Sequence, residues 1–226
     1  MVGICTDKNL TTPCSNKWMV GTMNSFFIGF SSTFIATVLG TLAALGLSRP
    51  QMPFKAIIMS ILISPMIVPL IITAAGMFFF YAKVNLVYTF TGIILAHVAL
   101  STPFVVITVT ATLVGFDTDM TKAAQSLGAR PIRTFFKVIM PLILPGVISG
   151  ALFAFITSFD EVVIVMFMAS LNELTIPKQM WAGIRQEISP VILCMATCLV
   201  AFSIFLLTTV ELLRRRSEKM RGITAR

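Results

Sequence analysis

An all-α, polytopic membrane bundle is the fold class this sequence predicts, and three observations predict it. The 226-residue chain is 57% hydrophobic and 12% charged, with a mean hydropathy of +0.94, whereas a soluble domain is about 45–50% apolar and about 25% charged. Five stretches, 18–48, 56–82, 84–116, 138–159 and 188–210, hold 31, 27, 33, 22 and 23 residues without a single charge. Each exceeds the roughly 18 apolar residues at which a membrane-spanning helix becomes the expected reading, because a charge at the bilayer centre is costly. The third observation is where the charge goes. The net +8 falls between these stretches and at the ends, which is a sidedness signal rather than a nucleic-acid footprint.

In chain order, residues 1–17 read as an extracytoplasmic segment, 18–213 as one transmembrane domain and 214–226 as a basic cytoplasmic tail. Spans are expected near 24–48, 57–81, 86–112, 139–160 and 191–212. Pro65, Pro69, Pro103 and Pro145 interrupt them, as membrane helices tolerate where neighbours or a cavity satisfy the freed backbone groups. Gly146 and Gly150 are spaced so that another helix can come close. The uncharged stretch 162–172 is too short to cross and suits an interfacial or re-entrant piece. His97 is an ionisable group inside the third stretch. It is either functional or a neutral imidazole bonded to a neighbouring helix.

Twelve of the 17 Lys and Arg residues lie on one side: Arg49 and Lys55, then Lys122, Arg130, Arg133 and Lys137, then the six of the tail. Five lie on the other, namely Lys8, Lys17, Lys83, Lys178 and Arg185. By the positive-inside rule the amino terminus is outside and the carboxyl terminus cytoplasmic. Residues 1–17 lack the basic start and apolar core of a signal peptide, so an outer amino terminus leads to the expectation of a further span ahead of Met1, six in all. Cys5 and Cys14 fall on that outer segment, where a disulfide can persist. Cys194 and Cys198, one helical turn apart with no histidine nearby, read as apolar packing and not as a metal site.

One polar loop, 117–137, has internal order. Asp117, Thr118 or Asp119 can cap a helix that runs from Met120 to Leu127 and stops at Gly128. Barely two turns cannot hold alone in water, so this helix must dock on something. Ala123, Ala124, Leu127 and Gly128 share one small, apolar face. Pro131 can start a second helix with Ile132, Phe135 and Phe136 at the membrane surface and Arg133 and Lys137 in water.

At these residues the chain resembles the integral membrane permease subunits of ATP-binding-cassette importers. Their cytoplasmic signature is Glu-Ala-Ala, three residues, Gly, nine residues, Ile, any residue, Leu-Pro. Here it reads Lys122-Ala123-Ala124, Gly128, Val138, Met140 and Pro141, with every spacing kept. Val138 and Met140 keep apolar volume; Lys122 reverses the charge of the usual Glu. The resemblance runs from about Trp18 to Arg216, includes the first core helix at 33–48, and implies the type I importer transmembrane fold. Ser158-Phe159-Asp160-Glu161, Thr175-Ile176-Pro177 and Ile188-Ser189-Pro190 are similar to the spermidine/putrescine branch.

The resemblance implies a short coupling helix at 119–128 that inserts into a separate ATPase, with Lys122, Ala123, Ala124, Leu127, Gly128 and Pro141 as its coupling residues. It also implies two ATP-binding subunits, a second permease subunit, an extracytoplasmic solute-binding protein and a place in the bacterial inner membrane. Asp160 and Glu161, near the outer end of the fourth span, could attract a polycation such as a polyamine on its way in; an interfacial helix end pairing with Lys178 or Arg185 is the competing reading.

The chain has no Gly-Lys dipeptide and so no phosphate-binding loop. Metal-pair and nucleophile motifs are missing too, so the sequence predicts a transport subunit without catalytic residues or cofactor. An ion-driven secondary transporter would place ionisable residues at mid-membrane, where His97 has no acidic partner in its uncharged stretch. An accessory membrane protein, the other alternative, would have no ATPase partner.

Overall fold

Uncharged sequence in a medium without water must satisfy its backbone within each segment, and helices do so. The computed structural model describes residues 13–49, 51–114, 118–170, 172–186 and 190–220, which form helices and connecting turns with no strand among them. The long elements are α1 (Pro13–Leu47), α2 (Lys55–Ile67), α3 (Leu70–Lys83) and α4 (Phe90–Val114). A short α5 (Thr118–Ser126) and α6 (Pro131–Thr134) lead through a π-helical turn (Phe135–Ile139) into α7 (Met140–Phe159). Then come α8 (Val163–Met168), α9 (Ile176–Gln186) and α10 (Pro190–Met220).

Four helices, α1, α4, α6 to α7 and α10, are long and apolar enough to cross a membrane, and α2 with α3 makes a fifth when counted as one broken span. The break has a local cause. Pro69 offers no N–H and pushes Val68 into an extended conformation, so α2 ends at Ile67 and α3 restarts at an angle of 103°. The stretch expected as a single span at 57–81 is therefore bent nearly at right angles. At the other end α10 does not stop where the apolar run does. It continues to Met220, into the segment expected as a tail, because Arg, Lys and Glu are good helix formers that extend a helix into water.

The core is a three-helix seam of α1, α4 and α7, with α4 in the middle. Glycines set its closeness. A Cβ on Gly40 would sit 2.6 Å from the Val105 Cβ, one on Gly146 would sit 2.2 Å from Thr112 Oγ1, and one on Gly150 would sit 2.5 Å from Thr108 Oγ1 and 3.0 Å from the Val105 Cα. Thr108 and Thr112 turn their hydroxyls back to the Phe104 and Thr108 carbonyls of their own helix, both at 2.9 Å. That leaves the contacts at these glycines to van der Waals packing, the main force between helices in lipid. Gly150→Ala is accordingly expected to lower stability by about 1–3 kcal/mol through overpacking, read as a drop in thermal midpoint in detergent. Gly76→Ala on α3, where an added Cβ meets nothing within 4 Å, should not lower it.

A phenylalanine cluster fastens α10 to this seam. Phe159 lies 5.1 Å from Phe26, 5.4 Å from Phe155 and 5.4 Å from Phe202 between ring centroids. The outward face of α10 keeps Leu193, Val200, Ile204 and Phe205 exposed, with Cys194 and Cys198 as free thiols on the same helix. Cys5, the first member of the bridge that the sequence leaves open with Cys14, lies outside the described residues.

Candidate functional site

Two places gather the sequence-predicted residues. The first is the loop between α4 and α7. α5 ends as the sequence expects: Gly128 takes φ +81°, and the Ala129 N–H reaches the Ala124 carbonyl at 3.1 Å, closing a left-handed glycine cap. Arg130 is extended ahead of Pro131, which opens α6. The π-turn then follows from Pro141: its ring would strike the carbonyl four residues back, so the turn widens and the Met140 N–H bonds instead to Phe135, five back. α5 leans on α6 and the π-turn. Leu127 is 89% exposed, and Met120, Ile132 and Phe136 are exposed too. Lys122, Ala123, Gly128 and Pro141 lie on the surface and Ala124 is half-buried.

The second place is the corner where α7 gives way to α8, and here Asp160 and Glu161 part company. Asp160 caps the end of α7 and is exposed; partial burial, then the neighbouring Glu161, push its carboxyl above the usual range. Glu161 turns inward and is buried. Its carboxylate accepts the Ile164 N–H at 2.9 and 3.0 Å and the Val165 N–H at 3.3 Å, which caps the start of α8. At the far end of α8 the Lys178 ammonium donates to the Ala169 carbonyl at 2.7 Å and the Val165 carbonyl at 3.3 Å, and the Tyr88 N–H donates to Met168 at 2.9 Å. Burial lowers the pKa of Lys178, partly offset by Glu173. An acid at the start and a base at the end suit the dipole of this six-residue helix. Ile164, Val165 and Met168 pack against Ile28 of α1, Ala74 of α3 and Ile93, Ala96 and Leu100 of α4.

Behind the corner stands His97, 1% exposed. Its Nε2 is 3.6 Å from Glu161 Oε2 and its Nδ1 is 2.8 Å from Ser158 Oγ, which in turn is 3.2 Å from Ser32 Oγ. The acidic partner missing from the histidine's own stretch thus arrives from the end of α7. Lys178, weighed from sequence as a partner for the acidic pair, bonds to backbone instead. The available signal was an ionisable residue in an otherwise uncharged span; the fold alone says which neighbour it meets.

A helical bundle of four to five apolar spans is a multi-pass component of a membrane. Residues 36–219 match the family described as binding-protein-dependent transport system inner membrane component, and the chain belongs to that family. It is 30% identical over 196 residues to the spermidine/putrescine transport system permease protein PotC of Haemophilus influenzae, covering 87% of this chain and 76% of that one. It is 29% identical over 187 residues to the putrescine transport system permease protein PotI of Escherichia coli K12, covering 78% and 65%, and 29% identical over 163 residues to the sulfoquinovosyl glycerol permease SmoH of Agrobacterium fabrum, covering 71% and 57%. Among solved structures, the MetNI methionine transporter in its inward-facing conformation superposes with a TM-score of 0.66 at 20% identity, over 96% of this chain and 100% of that one. An amino acid ABC transporter gives the same score at 18% identity over 90% and 95%. The fold is that of a type I ABC importer permease. The chain is a transport subunit of the inner membrane and not an enzyme; ATP is hydrolysed by a partner.

Proposed function

We propose that this permease subunit passes a small cation of the polyamine class across the inner membrane, with its amino terminus outside and its carboxyl terminus in the cytoplasm. It pairs with a second permease subunit, stands on two ATP-binding subunits and receives substrate from an extracytoplasmic binding protein. ATP binding closes the ATPase pair, and α5 transmits that motion into the bundle. The substrate class rests on about 30% identity to permeases named for spermidine and putrescine over most of the chain. A relative named for another solute at similar identity makes a sugar derivative the competing cargo.

Asp160 is the member of the acidic pair that can meet a cation at the mouth, with Glu161 holding the corner behind it. Asp160→Asn should raise the KM for spermidine uptake several-fold at neutral pH in vesicles containing the assembled importer. Because its carboxyl titrates above the usual carboxylate range, the charge is lost early as pH falls, and the difference between wild type and variant should close in acid. Copurification with an ATPase subunit, followed by competition of labelled spermidine uptake by putrescine and by a sulfoquinovose glycoside, tests the whole reading. Competition by the glycoside alone would overturn the substrate, and a chain that never brings down an ATPase would overturn the assembly.

A further inference from the structure

α7 is long enough to cross a membrane by itself. Its 20 residues from Met140 to Phe159 reach about 30 Å, the thickness of the hydrocarbon layer. α6 and the π-turn continue the same apolar span back to Pro131, so they stand beyond the acyl chains, among the lipid headgroups. There the chain carries two stripes side by side. Ile132 and Phe136, 73% and 63% exposed, lie one turn apart on the first. Arg133 and Lys137, both exposed, lie one turn apart on the second, and Arg130 is exposed just ahead of Pro131. Thr134 is buried and Phe135 half-buried, so the opposite side of this elbow is the one that faces the bundle.

The cations have no counter-charge close by in the chain. No acidic residue occurs between Met120 and Phe159, and Arg130, Arg133 and Lys137 make no ion pair among the described residues. We propose that this elbow is a binding site for an anionic phospholipid, whose charged headgroup the three cations hold while Ile132 and Phe136 sink between the upper acyl carbons. An apolar stripe beside a basic one is how a helix lies in the surface of a charged membrane, and cations next to a span draw anionic lipids. A site continuous with a span and at headgroup depth meets lipid before it meets the surface of a soluble protein. That the lipid belongs to the inner leaflet rests on the orientation given under the proposed function; the binding itself does not. α5 leans on α6 and the π-turn, so the lipid steadies the platform on which the coupling helix stands.

The purified full chain in non-ionic detergent provides the test. It is titrated in parallel with dioctanoyl phosphatidylglycerol, dioctanoyl phosphatidylcholine and glycerol phosphate, and the thermal midpoint is read at each concentration. Phosphatidylglycerol should raise the midpoint to a plateau, whereas the zwitterionic lipid and the free phosphate ester should not. Each neutralised cation should cost about fivefold in apparent affinity, so Arg130→Gln with Arg133→Gln and Lys137→Gln should displace the titration roughly a hundredfold. The midpoint without lipid should stay where it was, because the three side chains are exposed. Ile132→Ser with Phe136→Ser keeps every charge and should still weaken the response at least tenfold. Arg214→Gln with Arg215→Gln and Arg216→Gln, in the tail, should leave it as in the wild type.

An equal response to phosphatidylcholine or glycerol phosphate, a response that survives the triple substitution at 130, 133 and 137, or one abolished by the tail substitutions would each overturn the proposal. A triple variant that keeps its lipid response and loses copurification of the ATPase would assign the elbow to that protein instead. The readout needs no ATPase and no substrate, so its failure is separate from any failure of the proposed transport function.

Discussion

Replacing Glu161 with alanine is expected to destabilise the folded chain by roughly 3–5 kcal/mol, the cost of removing one partner from a buried, fully engaged charge. The carboxylate holds the Ile164 and Val165 N–H groups and faces His97. Truncation orphans these two buried donors and leaves the ring beside a void, and each buried unsatisfied group costs about 1–3 kcal/mol. α8 cannot make up the loss from within, since six residues lie far below the length at which a helix holds alone. Glu161→Gln keeps an acceptor for one N–H and should cost less than half as much. Limited proteolysis would localise the effect: cleavage within 160–175 should speed up in Glu161→Ala before the thermal midpoints of the seam helices change order. Equal stability of Glu161→Ala and wild type would mean that the carboxylate does not seat α8.

That corner marks where sequence stops being enough. The uncharged stretches disclosed the helices and the spacing from Ala123 to Pro141 disclosed the α5 loop, because both depend on local facts: hydropathy over a span, a glycine at a left-handed position, a proline that can open a helix. The 103° bend between α2 and α3 was half visible. Pro65 and Pro69 announced a break, but not the angle at which the second piece restarts. The division of labour between Asp160 and Glu161 was not visible at all. Adjacent carboxylates look alike in a sequence, and only the direction in which α7 ends decides that one faces out while the other closes on α8 and His97. Lys178 shows the same limit. Its charge suggested an ion pair, yet the geometry gives it two carbonyl groups, since the end of a buried helix needs donors and a long side chain on α9 reaches them.

Substituting Leu127 with aspartate is expected to cut ATP-driven uptake at least tenfold while leaving the permease itself folded. The second half follows from exposure: at 89% exposed, Leu127 touches almost nothing in its own chain, so its loss opens no cavity. The first half follows from the proposed docking of α5 on the ATPase. Burying a leucine side chain contributes about 1.5–3 kcal/mol, and each 1.4 kcal/mol is about tenfold in association. Aspartate would also bring a charge into that contact, and an unpaired charge is costly to desolvate. The double substitution Ala124→Asp with Gly128→Asp should abolish coupling altogether. It reads less cleanly, because Gly128 sits at φ +81°, where a side chain adds roughly 1–2 kcal/mol of strain, so part of its effect would be a loosened cap. Leu127→Asp separates the two causes: an unchanged thermal midpoint with lost copurification of the ATPase assigns the defect to docking, whereas full uptake by this variant would remove α5 as the route by which ATP drives the bundle.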